Sequence, residues 1–486
     1  MMSFQRRCLV LLFVSSSFLC LARSEQPRTI FIPRSMSSSA LYTDGFSLLA
    51  THDREHKRVM LFGHSLLYQE SFNHTKSAPF FLGNDRTKVI IDEGEEGDIN
   101  PDWFHIQSAT DTLYKSTLSV APKRLAIGVC LRAQYILDDI LDGLWAAVVL
   151  PIVNVTHTLN VAEFKNSATQ VSPTSAFGSV ERALDWDNWR AGKWSGEPQS
   201  ITGLDDMVCQ LGLDIDGPLN SMQQIALEIV VPVGGRPTGQ YLFEPLIGSQ
   251  GSVGIGGSIK TVAPVYQLNK NCLFSYIGHL GYRYHLPCHQ PRLFDLKGQP
   301  FSRYLVYMDT ALRPDIANVV MKAANGGNFF LRESLVTPGA TGQSINALEM
   351  SISRHRINVG YMYWWRVAEQ VTFAEPLTRT FAVPSPQGLD SGDLPLWLSG
   401  PKISDSFSAL DVAISTSPAI VQDIEFDVDS GAMPQVASHT LFVDYNSSFI
   451  HDIATCTVRL GFAYEFAHTP TVLDSLHLWC GIGITL

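Results

Sequence analysis

Stretches of about ten residues in which apolar side chains alternate with small or polar ones recur throughout this chain, and no other feature limits its folding choices as tightly. Near the C-terminus Val458, Leu460, Phe462, Tyr464 and Phe466 fall on one face, and Thr457, Arg459, Gly461, Ala463 and Glu465 on the other. Successive strand side chains point to opposite faces, so a period of two predicts strands with one apolar side. The same split sets Leu125, Ile127, Val129, Leu131 and Tyr135 against Gly128, Arg132 and Gln134. Phe274, Tyr276, Leu280, Tyr282 and Tyr284 oppose Ser275, His279, Gly281 and Arg283. Ile357, Val359, Tyr361, Tyr363, Trp365 and Val367 oppose Asn358, Gly360 and Arg366, and Val253, Ile255 and Ile259 oppose Gly254, Gly256, Ser258 and Lys260.

A soluble sandwich also alternates, but its polar face meets bulk water and fills with Lys, Glu and Thr. Here that face carries Gly, Ala, Ser and single Arg residues, which suit a crowded lumen, while Tyr282, Tyr284, Tyr363 and Trp365 sit near the ends of apolar faces, where a membrane barrel carries interfacial girdles. The longest apolar run, Leu144 to Val153, contains Pro151 and is too short for a spanning helix. A closed barrel satisfies every strand hydrogen bond and leaves no edge in lipid. The reading is therefore all-β: a transmembrane antiparallel β-barrel of about 12 to 14 strands with long loops and one or two short helices.

Residues 1–24 read as a secretory signal peptide, with Arg6 and Arg7 ahead of the apolar stretch Cys8 to Leu21 and small residues Ala22 and Ser24 before a cut near Ser24. Residues 25–58 are rich in Ser and charge and read as a mobile lead-in or periplasmic segment, and 59–486 as the barrel. The chain carries 35 Lys and Arg against 46 Asp and Glu; without Arg6, Arg7 and Arg23 the exported form has a formal charge of −14. That balance excludes a generally basic nucleic-acid surface. The six cysteines outside the leader, Cys130, Cys209, Cys272, Cys288, Cys456 and Cys480, show no metal-site spacing, and no cofactor or metal is read from the sequence.

Candidate strands fall near 59–69, 104–120, 124–136, 144–156, 207–215, 223–234, 250–265, 272–286, 301–310, 345–355, 356–369, 437–446, 453–466 and 474–486. Leu268-Asn269-Lys270-Asn271 predicts a tight hairpin, whereas 70–103, 157–206, 311–344 and 376–436 are long connections, the asymmetry of an outer-membrane barrel. Helical spacing appears in Pro314, Ile316, Val319, Val320 and Ala323, and in Phe177, Val180 and Leu184 ahead of Trp186, Trp189 and Trp194. Either segment suits a pore constriction, a cap outside the barrel or a surface helix packed on its neighbours.

The final stretch alternates Leu476, Leu478, Cys480, Ile482, Ile484 and Leu486 with His477, Trp479, Gly481, Gly483 and Thr485. It resembles the closing strand by which the barrel-assembly machinery recognises bacterial outer-membrane proteins, although Leu486 stands where that pattern has Phe. The segments Gly97-Asp98-Ile99-Asn100-Pro101-Asp102-Trp103-Phe104, Val231-Pro232-Val233-Gly234, Tyr241-Leu242-Phe243-Glu244-Pro245 and Gly360-Tyr361-Met362-Tyr363-Trp364-Trp365-Arg366, with this strand, resemble an uncharacterised porin-like outer-membrane β-barrel family of Gram-negative bacteria. A weaker resemblance is to barrel transporters of hydrophobic compounds. These likenesses imply a bacterial outer-membrane location among lipid and lipopolysaccharide; they imply no binding residue.

Alternation assigns Arg132, Lys260, Arg283, Arg303, Arg366 and Arg459 to the lumen, with Glu228 and Glu465 as the acids there. A ring of such cations would select anions, and the same residues in an Arg–Glu lattice would fill and stiffen a small barrel. The acidic run Asp92 to Asp98 suits a solvated loop or a divalent-cation bridge to lipopolysaccharide. No nucleophile elbow, HExxH or P-loop is present, so an enzyme is not expected. The expected function is a porin-like passive channel for small solutes; the alternatives are a gated transporter of hydrophobic compounds and a structural or adhesive barrel with a filled lumen.

Overall fold

Twelve of the predicted strands form, and each apolar face turns outward. The computed structural model describes residues 27–43, 60–92, 98–309, 323–376, 381–382 and 426–485, apart from 105, 107, 110–112, 168, 174, 176, 188, 218–220, 305, 452–453 and 468. The signal-peptide reading over 1–24, the stretch Pro314 to Val320 and acidic positions 93–97 lie outside the described residues.

The barrel strands are β1 (Met60–Ser71), β2 (Lys123–Ile136), β3 (Leu144–Thr158), β4 (Gln199–Leu204 continued as Met207–Asp216), β5 (Met222–Val231) and β6 (Gly254–Asn269). They continue as β7 (Cys272–His285), β8 (Gly339–Ile352), β9 (His355–Arg366), β10 (Val436–His451), β11 (Ala454–Phe466) and β12 (Ser475–Thr485). Each pairs antiparallel with its sequence neighbours, and β12 pairs with β1 over Leu61↔Thr485 to Ser71↔Ser475, which closes the sheet. The result is a closed antiparallel barrel of twelve strands. This is the architecture implied by the resemblance to porin-like outer-membrane proteins.

Strand parity sorts the side chains. Leu227, Leu280 and Leu460 are 68%, 60% and 51% exposed on the outer wall, while their neighbours Glu228, His279 and Arg459 are buried inside. Two aromatic rows bound the apolar band. Tyr68, Tyr282, Tyr284, Tyr363, Trp365, Tyr464 and Phe466 lie toward one rim, and Tyr135, Tyr266, Phe274, Tyr445 and Phe449 toward the other. Inside and outside the wall, indoles lie across bare backbone: Gly461 faces Trp479, Gly212 faces Trp145 and Gly342 faces Trp365. A Cβ on Gly461 would stand 1.9 Å from the Trp479 ring, so that position admits no larger residue without moving the indole.

At the second rim β6 and β7, β8 and β9, and β10 and β11 are each separated by two residues, and the predicted hairpin after Asn269 is one of these turns. At the first rim the long connections fold into a cap with its own core, including Phe80, Phe81, Trp194, Phe294, Phe301, Tyr304, Phe330 and Phe426. Two barrel hairpins extend into it without losing register. Lys115–Val120 with Val161–Lys165 continues β2 and β3, and Cys288–Leu293 with Leu331–Thr337 continues β7 and β8.

Two expected barrel strands are cap elements instead. Among the described residues of 104–120 only Lys115–Val120 is a strand, and among those of 301–310 only Val306–Asp309. Phe301 takes a left-handed φ of 67°, which breaks any strand through that point and starts the turn Ser302–Tyr304. The predicted helix near Val180 forms over Val180–Leu184 and packs in the cap core, not in the pore.

Residues 27–43, expected to be a mobile lead-in, are packed against the rest of the protein. Ile30, Phe31 and Ile32 belong to the cap core, whereas Met36, Leu41 and Tyr42 belong to the core inside the barrel. Their apolar side chains, spaced among serines, supply the burial that a Ser-rich composition conceals.

A plugged lumen as the candidate functional site

The N-terminal segment descends from the cap into the barrel as a turn, Met36–Ser38, followed by a single helical turn, Ala40–Thr43. The first turn rests on β3 and the second on β2. There β3 turns Val149, Val153 and Val155 inward beside Ala126, Cys130, Val208 and Val230, with Arg124 and Arg132 on the same face of β2. Across the lumen, where Ile277, Ile345, Met362 and Trp479 also face inward, the segment is held by hydrogen bonds and an ion pair.

Arg34 Nη1 lies 3.3 Å from Glu465 Oε1, with both side chains buried. Tyr42 Oη bonds His477 Nδ1, and His477 Nε2 lies 3.1 Å from Glu465 Oε2. The Arg283 guanidinium donates to the Ser37 carbonyl at 3.1 Å and pairs with Glu228 at 2.8 Å. Arg366 donates to the Ile32 carbonyl at 3.2 Å.

The remaining anchor comes from a break in the wall. The register of β3 against β4 shifts by one residue between Val149↔Val208 and Ile152↔Leu204, leaving Asp205 and Asp206 together opposite Pro151. A bulge of this kind turns two consecutive side chains to the same face, which an unbroken strand cannot do. Both carboxyl groups are buried. The Ser37 N–H donates to Asp205 Oδ2 at 3.1 Å, while Asp206 meets Ser249 from the β5–β6 connection.

Of the six cations assigned to the lumen, the structure brings five there. Arg132 donates to Gln134 at 2.9 Å, and Lys260 is buried on β6. Arg283 and Arg366 hold the segment, and Arg459 pairs with Asp444 at 2.7 Å over the Trp479 ring. Arg303 is not among them. It lies in the cap turn, paired with Asp295 and stacked on Tyr304, because the left-handed backbone at Phe301 rules out the strand that would have aimed it inward.

The expected excess of interior cations is also corrected. Arg124 joins the wall cations, while Asp205, Asp206, Glu349 and Asp444 join Glu228 and Glu465, so among the described residues six buried Lys and Arg side chains of the wall stand against six buried Asp and Glu. Parity alone could have found Glu349 and Asp444, which alternate with Leu348 and with Val443 and Tyr445. The bulge acids and Arg34 carry no such signal. Among the described residues, no group of three or more His, Cys, Asp or Glu side chains is placed to hold a metal ion.

No family model and no curated protein matches the chain. Similar solved structures include an outer membrane channel from Pseudomonas putida F1, 10% identical with a TM-score of 0.38, over 90% of this chain and 98% of that one. A Pseudomonas aeruginosa FadL homologue is 8% identical with a TM-score of 0.28, over 88% and 90% of the two chains. The CymD monoaromatic hydrocarbon channel is 9% identical with a TM-score of 0.27, over 96% and 98%.

Proposed function

We propose that this protein is a bacterial outer-membrane channel gated by its own N-terminal segment, passing small amphipathic solutes through a lumen lined by both apolar and polar side chains. The carrying observation is the segment itself: residues 34–42 occupy the lumen and are tied to the wall through side-chain contacts at Glu465, Asp205, Arg283 and His477. Contacts of this kind can be exchanged one at a time, unlike a strand pairing. A permanently open, passive pore does not fit an occupied lumen. In this reading the outward apolar band sits among outer-membrane lipid, with the cap toward lipopolysaccharide, and β12 is the strand that the assembly machinery engages.

The test is single-channel recording of the mature full chain in planar bilayers. Brief, discrete openings that lengthen in Arg34→Ala support the gated channel. Silence in both proteins would leave a structural barrel with a filled lumen, and a steady large conductance in wild type would restore the passive pore.

A further inference from the structure

Of the two arginines in the described part of the N-terminal segment, Arg28 stays in the cap and Arg34 enters the lumen. Arg34 occupies a built pocket. Its guanidinium faces Glu465 Oε1 at 3.3 Å, donates to Ser39 Oγ at 2.8 Å and lies over the Trp364 ring, 5.7 Å from the centroid. Ser438 donates to the same Glu465 oxygen at 2.6 Å. A buried carboxylate beside the face of an indole is a cation receptor, because ring quadrupole and negative charge attract the same group.

A second contact adjoins it. Through His477, Glu465 is linked to the Tyr42 hydroxyl, and the Tyr42 ring packs edge-on against Trp479 at 5.8 Å. The segment therefore supplies one cation and one phenol, and the wall supplies the matching carboxylate, imidazole and indoles. When the segment withdraws, Glu465 loses the guanidinium that compensates its buried charge. Arg366, 6.0 Å from the Trp364 centroid, is bonded to the Ile32 carbonyl, and Arg124 is bonded to Gln69. Neither lies within ion-pair distance of Glu465 among the described residues.

We propose that this pocket recognises small aromatic solutes bearing an ammonium or guanidinium group, which take the place of Arg34 on Glu465 and Trp364. The inference rests on the gated reading, since a solute reaches Glu465 only where the segment yields.

Tyramine, neutral 4-ethylphenol and anionic 3-(4-hydroxyphenyl)propionate share a ring and differ in charge, so they separate cation recognition from ring burial. Each is titrated calorimetrically into the detergent-solubilised full chain as wild type, Arg34→Ala, and Arg34→Ala combined with Glu465→Gln. Heat-modifiable migration confirms that each variant is folded. Tyramine should bind Arg34→Ala roughly tenfold or more tightly than wild type, and the Glu465→Gln change should abolish the gain. If the double variant does not fold, Arg34→Ala with Trp364→Leu serves instead, with a smaller loss expected. Equal binding of all three probes to Arg34→Ala, or of none, overturns the proposal. Failure of the gated reading is a separate result: tyramine binds Arg34→Ala while wild type and Arg34→Ala both remain silent in bilayers.

Discussion

Asp205 stands directly opposite Pro151, its N–H donating to the proline carbonyl at 2.8 Å, and this is where the register of β3 against β4 slips. Paired residues of this kind normally exchange two hydrogen bonds, and proline cannot return the second. The wall thus gives up one bond and turns the Asp205 carboxyl inward, where it accepts from Ser37. Asp205→Ala leaves the Ser37 N–H without that acceptor, a loss of ~1 to 3 kcal/mol that should shift the segment toward withdrawal roughly 5- to 150-fold. Single-channel open probability should rise accordingly. An unchanged open probability in a correctly folded variant would mean that the bulge does not hold the segment.

Leu460 lies in the middle of the exposed apolar face of β11 and Tyr464 in its aromatic row. Arginine facing lipid costs ~2 to 4 kcal/mol at the midplane and about 0 to 1 near an interface. Leu460→Arg should therefore lower stability in a urea titration in lipid vesicles by several times more than Tyr464→Arg. Equal losses would place the membrane band elsewhere on the wall.

What the sequence made legible is the part governed by parity. Leu460 and Arg459 are on opposite sides of β11, as alternation requires, and the twelve strands follow the same rule outside their bulges. The features that escaped are those where parity is interrupted or absent. Asp205 and Asp206 are adjacent and both inward only because a bulge adds a residue. Arg34 belongs to no strand, and its place in the lumen is set by contacts with Glu465, more than 400 positions away in sequence. Arg303 followed an apparent alternation that the backbone at Phe301 does not obey.

Arg303 accordingly provides a prediction about the cap. Its guanidinium and the Asp295 carboxylate are both buried, so Arg303→Ala would leave Asp295 without its compensating charge. Breaking a buried pair on one side costs ~3 to 5 kcal/mol. The cap should become sensitive to limited proteolysis while ion selectivity stays unchanged. A selectivity change without loss of cap protection would instead assign Arg303 to the permeation path.

The final prediction concerns the sign of the open lumen. Net charge favours cation passage, whereas a ring of interior arginines favours anions. The structure supports neither, because Arg283 is matched by Glu228 at 2.8 Å and Arg459 by Asp444 at 2.7 Å, and among the described residues the buried Lys and Arg side chains of the wall equal its buried Asp and Glu. Loop charges more than ~8 to 10 Å from an ion are largely screened at ordinary salt, so these local pairs govern the field at the constriction. Reversal potentials of Arg34→Ala across a KCl gradient should show only weak preference. Glu228→Gln with Asp444→Asn frees two guanidinium groups and should move the potential toward chloride, while Arg283→Gln with Arg459→Gln should move it toward potassium. A strong preference before either pair is changed would show that the segment, once displaced, carries its own charge into the conducting path.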